Sequence, residues 1–222
     1  TVADAVDMRK WLERDIDNSV GNSITSPDPG WEARRAVVVG GGFIGLEMVE
    51  NLVERGLSVT LVEKLNQVMP PLDTEMARLV ERYLSKHNVN FDLNDSVAGF
   101  KKAKRGLEVL TESGRVLPAD IVILAIGVKP ETALAKMAGL ELGKRGGFKV
   151  NDQMITSDPD IFAVGDAVEV KDFVTGEQTL IPLAGPANRQ GRIAADVIAG
   201  RDAHFRGTQG TSVVGVFDLT LA

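Results

Sequence analysis

The sequence predicts an α/β fold, a parallel sheet with helices plus an antiparallel meander, joined to the C-terminal part of a second α/β domain. Three observations predict it. An apolar, β-branched run at residues 36–39 passes through glycines into a stretch of helical period at 43–55, and a second apolar run follows at 58–63. Short alternating runs at 97–102, 107–111 and 115–117 are then punctuated by Gly106 and Ser113-Gly114, the pattern of a meander. Finally, residues 120–126 return to a continuous apolar run, read as a fully buried strand.

In chain order, Val2, Val6, Trp11, Leu12 and Ile16 predict an amphipathic helix over residues 1–18, opened by Thr1 or Asp4. Residues 22–30, with Ser26-Pro27-Asp28-Pro29-Gly30, form a loop or linker. The β-α-β unit over 36–63 comes next, with Arg55-Gly56 ending its helix, and Met69-Pro70-Pro71 makes a turn. Asp73 is expected to cap a second helix that places Met76, Leu79, Val80, Tyr83 and Leu84 on one face up to His87. A third strand at 89–93 leads into the meander.

After Gly127 the signals thin out. A helix at 132–137, a strand-like 161–164 ending at Gly165-Asp166, and a helix at 186–199 closed by Gly200 are what remains, with a final strand at 212–219. These elements are too few for a sheet of their own, so this part is expected to complete a domain whose other half lies elsewhere.

Gly40, Gly42 and Gly45 form a Gly-x-Gly-x-x-Gly pattern where strand becomes helix. The three glycines serve different physical ends. Gly40 makes the tight turn, Gly42 lets backbone approach a pyrophosphate, and Gly45 lets helix pack closely on strand. The helix N-terminus favours the phosphates. Glu63 ends the second strand roughly 20 residues on, where an acid accepts hydrogen bonds from an adenosine ribose. Its charge would repel a 2′-phosphate, so NADH is favoured over NADPH, although Lys64 softens that preference.

Other candidates are more ambiguous. Gly127 and Pro130, just past an apolar strand, suit a turn passing close to a nucleotide and equally suit an ordinary strand-to-helix connection. Gly165-Asp166 is commonly a simple turn; its functional reading is a carboxylate at a strand end accepting from a sugar or ribityl hydroxyl.

Composition narrows the classes. The chain has 222 residues, 44% hydrophobic and 25% charged, with a net charge of −6, which gives no electrostatic footprint for nucleic acid or an anionic membrane. The basic cluster Lys101-Lys102-Ala103-Lys104-Arg105 reads as a solvated hairpin turn. No run approaches the ~18 apolar residues of a membrane span, so a cytoplasmic protein is expected. With no cysteine, the chain carries no thiol nucleophile, disulfide or thiolate metal ligand. His87 and His204 lack metal-ligand spacing and are expected at the surface.

Taken together and in this order, these motifs resemble the flavin-dependent pyridine nucleotide-disulfide oxidoreductases. Within them, Gly40-Gly41-Gly42-Phe43-Ile44-Gly45-Leu46-Glu47-Met48, Asn66-Gln67-Val68-Met69-Pro70-Pro71-Leu72-Asp73 and Ile181-Pro182-Leu183-Ala184-Gly185-Pro186-Ala187-Asn188-Arg189-Gln190-Gly191 look most like coenzyme A disulfide reductases and NADH oxidases. The resemblance implies that Gly40, Gly42 and Gly45 cradle the NAD pyrophosphate, Glu63 binds the adenosine ribose, and Gly127 lines the cofactor. It places Phe43, Ile44 and Glu47 beside the nicotinamide. Gly165 and Asp166 would meet the ribityl chain or phosphate of FAD, while Leu183, Ala184 and the helix beginning near Pro186 would face the isoalloxazine. Core packing is the plain alternative for Phe43, Ile44, Leu183 and Ala184.

The resemblance also implies a domain plan: 1–29 as helix and linker from the flavin domain, 30–127 as a Rossmann-like NAD(P)-binding domain, 128–206 as the C-terminal part of the FAD-binding domain, and 207–222 as the start of a dimerisation domain. The family pattern requires an earlier glycine fingerprint and, in the disulfide reductases, a redox cysteine, and this chain has neither. An internal fragment is therefore expected, with no catalytic residue of its own and a homodimeric parent. Three functions stay open: part of a reductase of a small disulfide, coenzyme A disulfide foremost; part of an NADH oxidase or peroxidase; or a stand-alone NAD-binding module without redox chemistry.

Overall fold

The computed structural model describes Val6, Met8 and residues 34–222. The helix expected over 1–18 and the linker over 22–30 lie outside the described residues, apart from Val6 and Met8, which are helical. The chain separates into two compact units. One runs to Gly127 and takes in Gly215–Leu219; the other comprises Val128–Val214 and Thr220–Ala222.

The first unit is built as β1 (Arg35–Val39), α1 (Phe43–Glu54), β2 (Ser58–Glu63), α2 (Thr74–Lys86), β3 (Asn90–Leu93), β4 (Val97–Lys102), β5 (Leu107–Thr111), β6 (Val116–Ala119) and β7 (Ile121–Leu124). Strands β3-β2-β1-β7 form a parallel sheet in that order, and β4-β5-β6 form a separate antiparallel sheet. Because side chains alternate along a strand, Val37 and Val39 of β1 face one side and join Val62, Val109, Leu117 and Ala119 in a core between the two sheets. Helix α1 packs on β1 and β2, with Leu46, Val49 and Leu52 fully buried. Burial of each such side chain stabilises the fold by about 1.5–3 kcal/mol.

The strand order locates the site. The chain winds outward from β1 through β2 to β3 and then returns to the opposite side of β1 as β7, so the loops leaving β1 and β7 diverge at the carboxyl ends of their strands. Such a switch point leaves a crevice where open α/β sheets bind ligands.

Several expectations are corrected here. The buried face of α2 is Ala77, Val80, Glu81 and Leu84, whereas Met76 and Leu79 are exposed. Ala77 lacks bulk and Glu81 accepts a hydrogen bond from Arg78, so a face that looks mixed in sequence can be covered. Asp73 sits at the N-cap of α2, but its backbone carbonyl, not its side chain, accepts from Met76 and Ala77. Strand β7 is not fully buried: it lies at the sheet edge, and Leu124 and the following Ile126 are exposed.

The second unit does contain a sheet. Strands β8 (Phe148–Lys149), β9 (Val168–Lys171) and β10 (Gln178–Leu180) pair in the order β10-β9-β8, parallel between β8 and β9 and antiparallel between β9 and β10. It escapes a sequence reading because β8 is two residues long and β9 buries a charged Glu169. The strand expected at 161–164 is only a single bridge between Phe162 and Ile155. Helix α3 spans Ala133–Met137, and α4 spans Ala184–Ile198, starting two residues before the expected Pro186. Met154, Val168, Val170, Ala194 and Phe205 form the core of this unit. The terminal segment is a hairpin, β11 (Val214–Val216) and β12 (Leu219–Leu221), and not one strand.

Candidate functional site

The glycine turn between β1 and α1 shows three distinct steric situations. Gly40 has φ +104, and a Cβ there would lie 2.4 Å from the Ala125 carbonyl oxygen, so the turn excludes any side chain on two counts. A Cβ on Gly45 would lie 1.8 Å from the Gly40 carbonyl oxygen; only glycine lets the helix start so close to the strand. A Cβ on Gly42 would meet nothing within 4 Å. That glycine opens a space which the described residues leave unfilled.

Gly42 is the N-cap of α1 and offers no side-chain hydrogen bond, so the first-turn amides are left for a ligand. The positive end of the helix dipole then favours a pyrophosphate. The fit to a dinucleotide is therefore geometric: an open approach at Gly42, uncapped amides behind it, and the crevice between the ends of β1 and β7 alongside.

Glu63, the last residue of β2, is buried, and both its carboxylate oxygens accept backbone hydrogen bonds. Oε2 accepts from Gly41 N–H at 2.5 Å and Oε1 from Leu65 N–H at 2.8 Å. A carboxylate oxygen has a further lone pair, so acceptor capacity remains for ribose hydroxyls. Lys64 is exposed beside it.

Residues 66–73 buttress the same turn. Met69 N–H donates to the Gly41 carbonyl at 2.8 Å, Val68 and Met69 are buried, and the Gln67 amide donates to Leu72 O while accepting from the Thr74 hydroxyl. Gly41 is the residue that sequence reasoning missed. A Cβ there would press on the Glu63 carboxylate and Val68, each at 3.2 Å. The signal was present in the middle one of the three consecutive glycines, which the six-residue fingerprint does not require.

The remaining first-unit candidates lie near this turn. Phe43 begins α1 half-buried, while Ile44 and Glu47 are exposed on its first two turns. Gly127 follows β7 with φ +100 and open space around its Cβ position. Ala125 N–H donates to Val39 O at 2.7 Å, which ties the β7 exit to the end of β1, next to Gly40.

The second unit brings the other candidates onto two elements. Gly165 turns at φ +91, and Asp166 after it is exposed. Leu183 is the N-cap of α4, again without a side-chain cap; Ala184 is exposed in its first turn, and Pro186, which has no N–H to orphan, is buried there. A Cβ on Gly185 would meet nothing within 4 Å. An uncapped helix start beside an open glycine suits an anionic or electron-rich group.

Two buried carboxylates elsewhere in the first unit are held by strong donors. Burial pushes the Asp120 carboxyl up, but donors from the Arg35 guanidinium and the Arg34 and Arg35 amides outweigh it and hold the group below the ordinary carboxylate range. The Ser113 hydroxyl likewise lowers Asp95. His204 is raised by hydrogen bonds to Asp152 and then Asp202, all three exposed. His87 is half-buried and stacks on Phe217 with centroids 3.8 Å apart. Among the described residues no cluster could hold a metal ion, and no helix is long and apolar enough to cross a membrane.

Comparison with known proteins agrees with this geometry. A family model described as pyridine nucleotide-disulphide oxidoreductase matches residues 10–191. A curated NADH oxidase of Methanocaldococcus jannaschii is 42% identical over 85% of this chain and 42% of its own length, and a coenzyme A disulfide reductase of Staphylococcus aureus is 32% identical over 85% and 42%. Among solved structures, reduced Bacillus anthracis CoADR-RHD is 57% identical with TM-score 0.81, covering 85% of this chain and 34% of that one. The chain thus spans less than half the length of these relatives.

Proposed function

The chain belongs to the pyridine nucleotide-disulphide oxidoreductase family, and from that premise we propose that it is the NAD(P)H-binding stretch of a FAD-dependent oxidoreductase that passes hydride from NADH to flavin and electrons on to a small disulfide. The observation that carries this reading is the cradle formed by Gly40, Gly42 and Gly45 with Glu63 at the neighbouring strand end. In this reading residues 30–127 hold the nucleotide, 128–206 complete the flavin domain, 207–222 open a dimerisation domain, and the whole protein is a homodimer.

The chain's own residues bind and orient. Gly42 and the α1 amides hold the pyrophosphate, Glu63 accepts from the adenosine ribose, and Phe43, Ile44, Glu47 and Gly127 border the nicotinamide end. Asp166 accepts from the ribityl chain of FAD, while Leu183, Ala184 and the uncapped start of α4 offer amides and a dipole to its ring. Bound FAD supplies the two-electron acceptor that no side chain provides. The sequence contains no cysteine, so disulfide exchange is not carried by this stretch of chain.

Coenzyme A disulfide is the favoured substrate because the matched relatives include proteins named for that reaction, among them one of 32% identity, and the reduced CoADR-RHD structure at 57%. A second reading, an NADH oxidase, is supported by the 42% identical relative of that name. The test uses the full-length protein. Anaerobic NADH should bleach its flavin absorbance, and coenzyme A disulfide should then restore it. If oxygen restores it and the disulfide does not, the oxidase reading stands; no bleaching by NADH or NADPH sinks both.

A further inference from the structure

The second core contains an unexpected polar side chain. Gln190, in the second turn of α4, is 2% exposed and is the polar member among the bulkiest fully buried residues described. Its neighbour one turn on, Ala194, lies in the apolar core with Met154, Val168, Val170 and Phe205. An amide in such a place costs free energy unless it is paired, and leucine or methionine would fill the space without that cost.

The amide has a partner. Gln190 Oε1 accepts from Gly165 N–H at 2.7 Å. Gly165 turns at φ +91, and its carbonyl accepts from Val168 N–H at 3.2 Å, at the start of β9. Gly165, the residue immediately before Asp166, is therefore held through its N–H by the helix and through its carbonyl by the first residue of β9, three positions on. Between Gly165 and Gln190 the chain runs out through the β9–β10 hairpin and back. Apolar packing alone is tolerant of small slides, whereas a hydrogen bond of this length sets a distance and a direction.

We propose that Gln190 is a positioning residue for the flavin: its side-chain oxygen fixes the Gly165-Asp166 turn relative to α4, so that the Asp166 carboxylate and the α4 N-terminus are held at one separation. This rests on the flavin reading above. Gln190 itself touches no reacting atom; it acts through Gly165 and the helix.

The experiment uses the full-length, FAD-loaded protein and compares wild type with Q190M, which keeps the bulk and loses the acceptor, and Q190E, which keeps an acceptor oxygen. Q190M is expected to weaken FAD binding about tenfold, the scale of one lost buried hydrogen bond, and to move the flavin midpoint potential to more negative values. Q190E is expected to bring FAD affinity back to within about twofold of wild type. A merely structural glutamine would lower the melting temperature of Q190M while leaving the potential where it was. Wild-type affinity and potential in Q190M overturn the proposal, as does Q190E behaving like Q190M. Hydrogen exchange of the Gly165 amide in the wild-type protein gives a second measurement that needs no variant: slow exchange is expected, and exchange at the rate of an unstructured chain overturns the proposal. Wild-type full-length protein that takes up no FAD overturns the flavin reading itself, an outcome distinct from the other three.

Discussion

Helices α1 and α4 both begin without a side-chain cap, but the chain arranges their open ends by opposite means. At α1 the work is local: β1 runs straight into three consecutive glycines, and the parts that shape the turn come from residues 39–69 and the exit of β7. At α4 it is long-range. A hairpin carries the chain away from Gly165 and back, and a buried glutamine re-establishes the relation on its return. A site built mostly from contiguous chain tolerates little substitution at the residues that pack on one another, here Gly40 and Gly45, while the side facing the ligand stays open at Gly42. A site built from distant pieces tolerates more at each residue and depends on a few bonds that hold the pieces together.

The strongest test of the contrast is Gly45→Ala. Its Cβ would overlap the Gly40 carbonyl, so the first unit should lose about 3 kcal/mol or more in denaturant unfolding, together with nucleotide binding. Gly42→Val separates the two losses. The described residues offer nothing for the new side chain to strike, so the unfolding midpoint should hold while NADH affinity in the full-length protein drops about 100-fold, the effect of a blocked phosphate approach. A large fall in stability there would show that the open space at Gly42 is misassigned.

Glu63→Ala removes the acceptor for two backbone amides, one of them fully buried, and should cost about 2 kcal/mol while narrowing the preference for NADH over NADPH. Unchanged discrimination in titrations with both nucleotides would detach Glu63 from the ribose.

Asp120→Asn should cost about 1.5 kcal/mol near neutral pH. Its folded-state pKa is depressed, so its contribution is complete above the ordinary carboxylate pKa and disappears as pH falls through the folded value. The variant should therefore flatten the acid limb of the stability curve, measured by unfolding at a series of acidic pH values; an unchanged limb would mean another carboxylate dominates it. Gly165→Ala is expected to have the smallest effect, about 1 kcal/mol of unfolding free energy, since the space is open and only the left-handed backbone resists. A loss as large as that of Gly45→Ala would erase the contrast between the two sites.

The same division explains what the amino-acid sequence reveals. The β1-α1-β2 unit and the meander are legible because local signals, glycine spacing, β-branched runs and turn residues, agree with the tertiary packing. Helix α2 is legible as an element and not as a face, because burial of Glu81 depends on Arg78 and on what packs against Ala77. The β10-β9-β8 sheet is invisible for the converse reason: two-residue β8 has no period to detect, and Glu169 is buried because it accepts from the Arg145 and Gly147 amides of a loop more than twenty residues earlier. Gln190 belongs to the same class. Nothing in Asn188-Arg189-Gln190-Gly191 announces a partner at Gly165.

The hydrogen bond from Gly41 to Glu63 has a consequence for how such proteins diversify. A residue that chose between coenzymes by charge alone could be exchanged in one mutational step. In the reading proposed above, the Glu63 carboxylate that would meet the ribose also anchors the glycine turn through the Gly41 and Leu65 amides, so exchanging it to accommodate a 2′-phosphate costs turn geometry along with the acid, and a second substitution is needed to restore the turn.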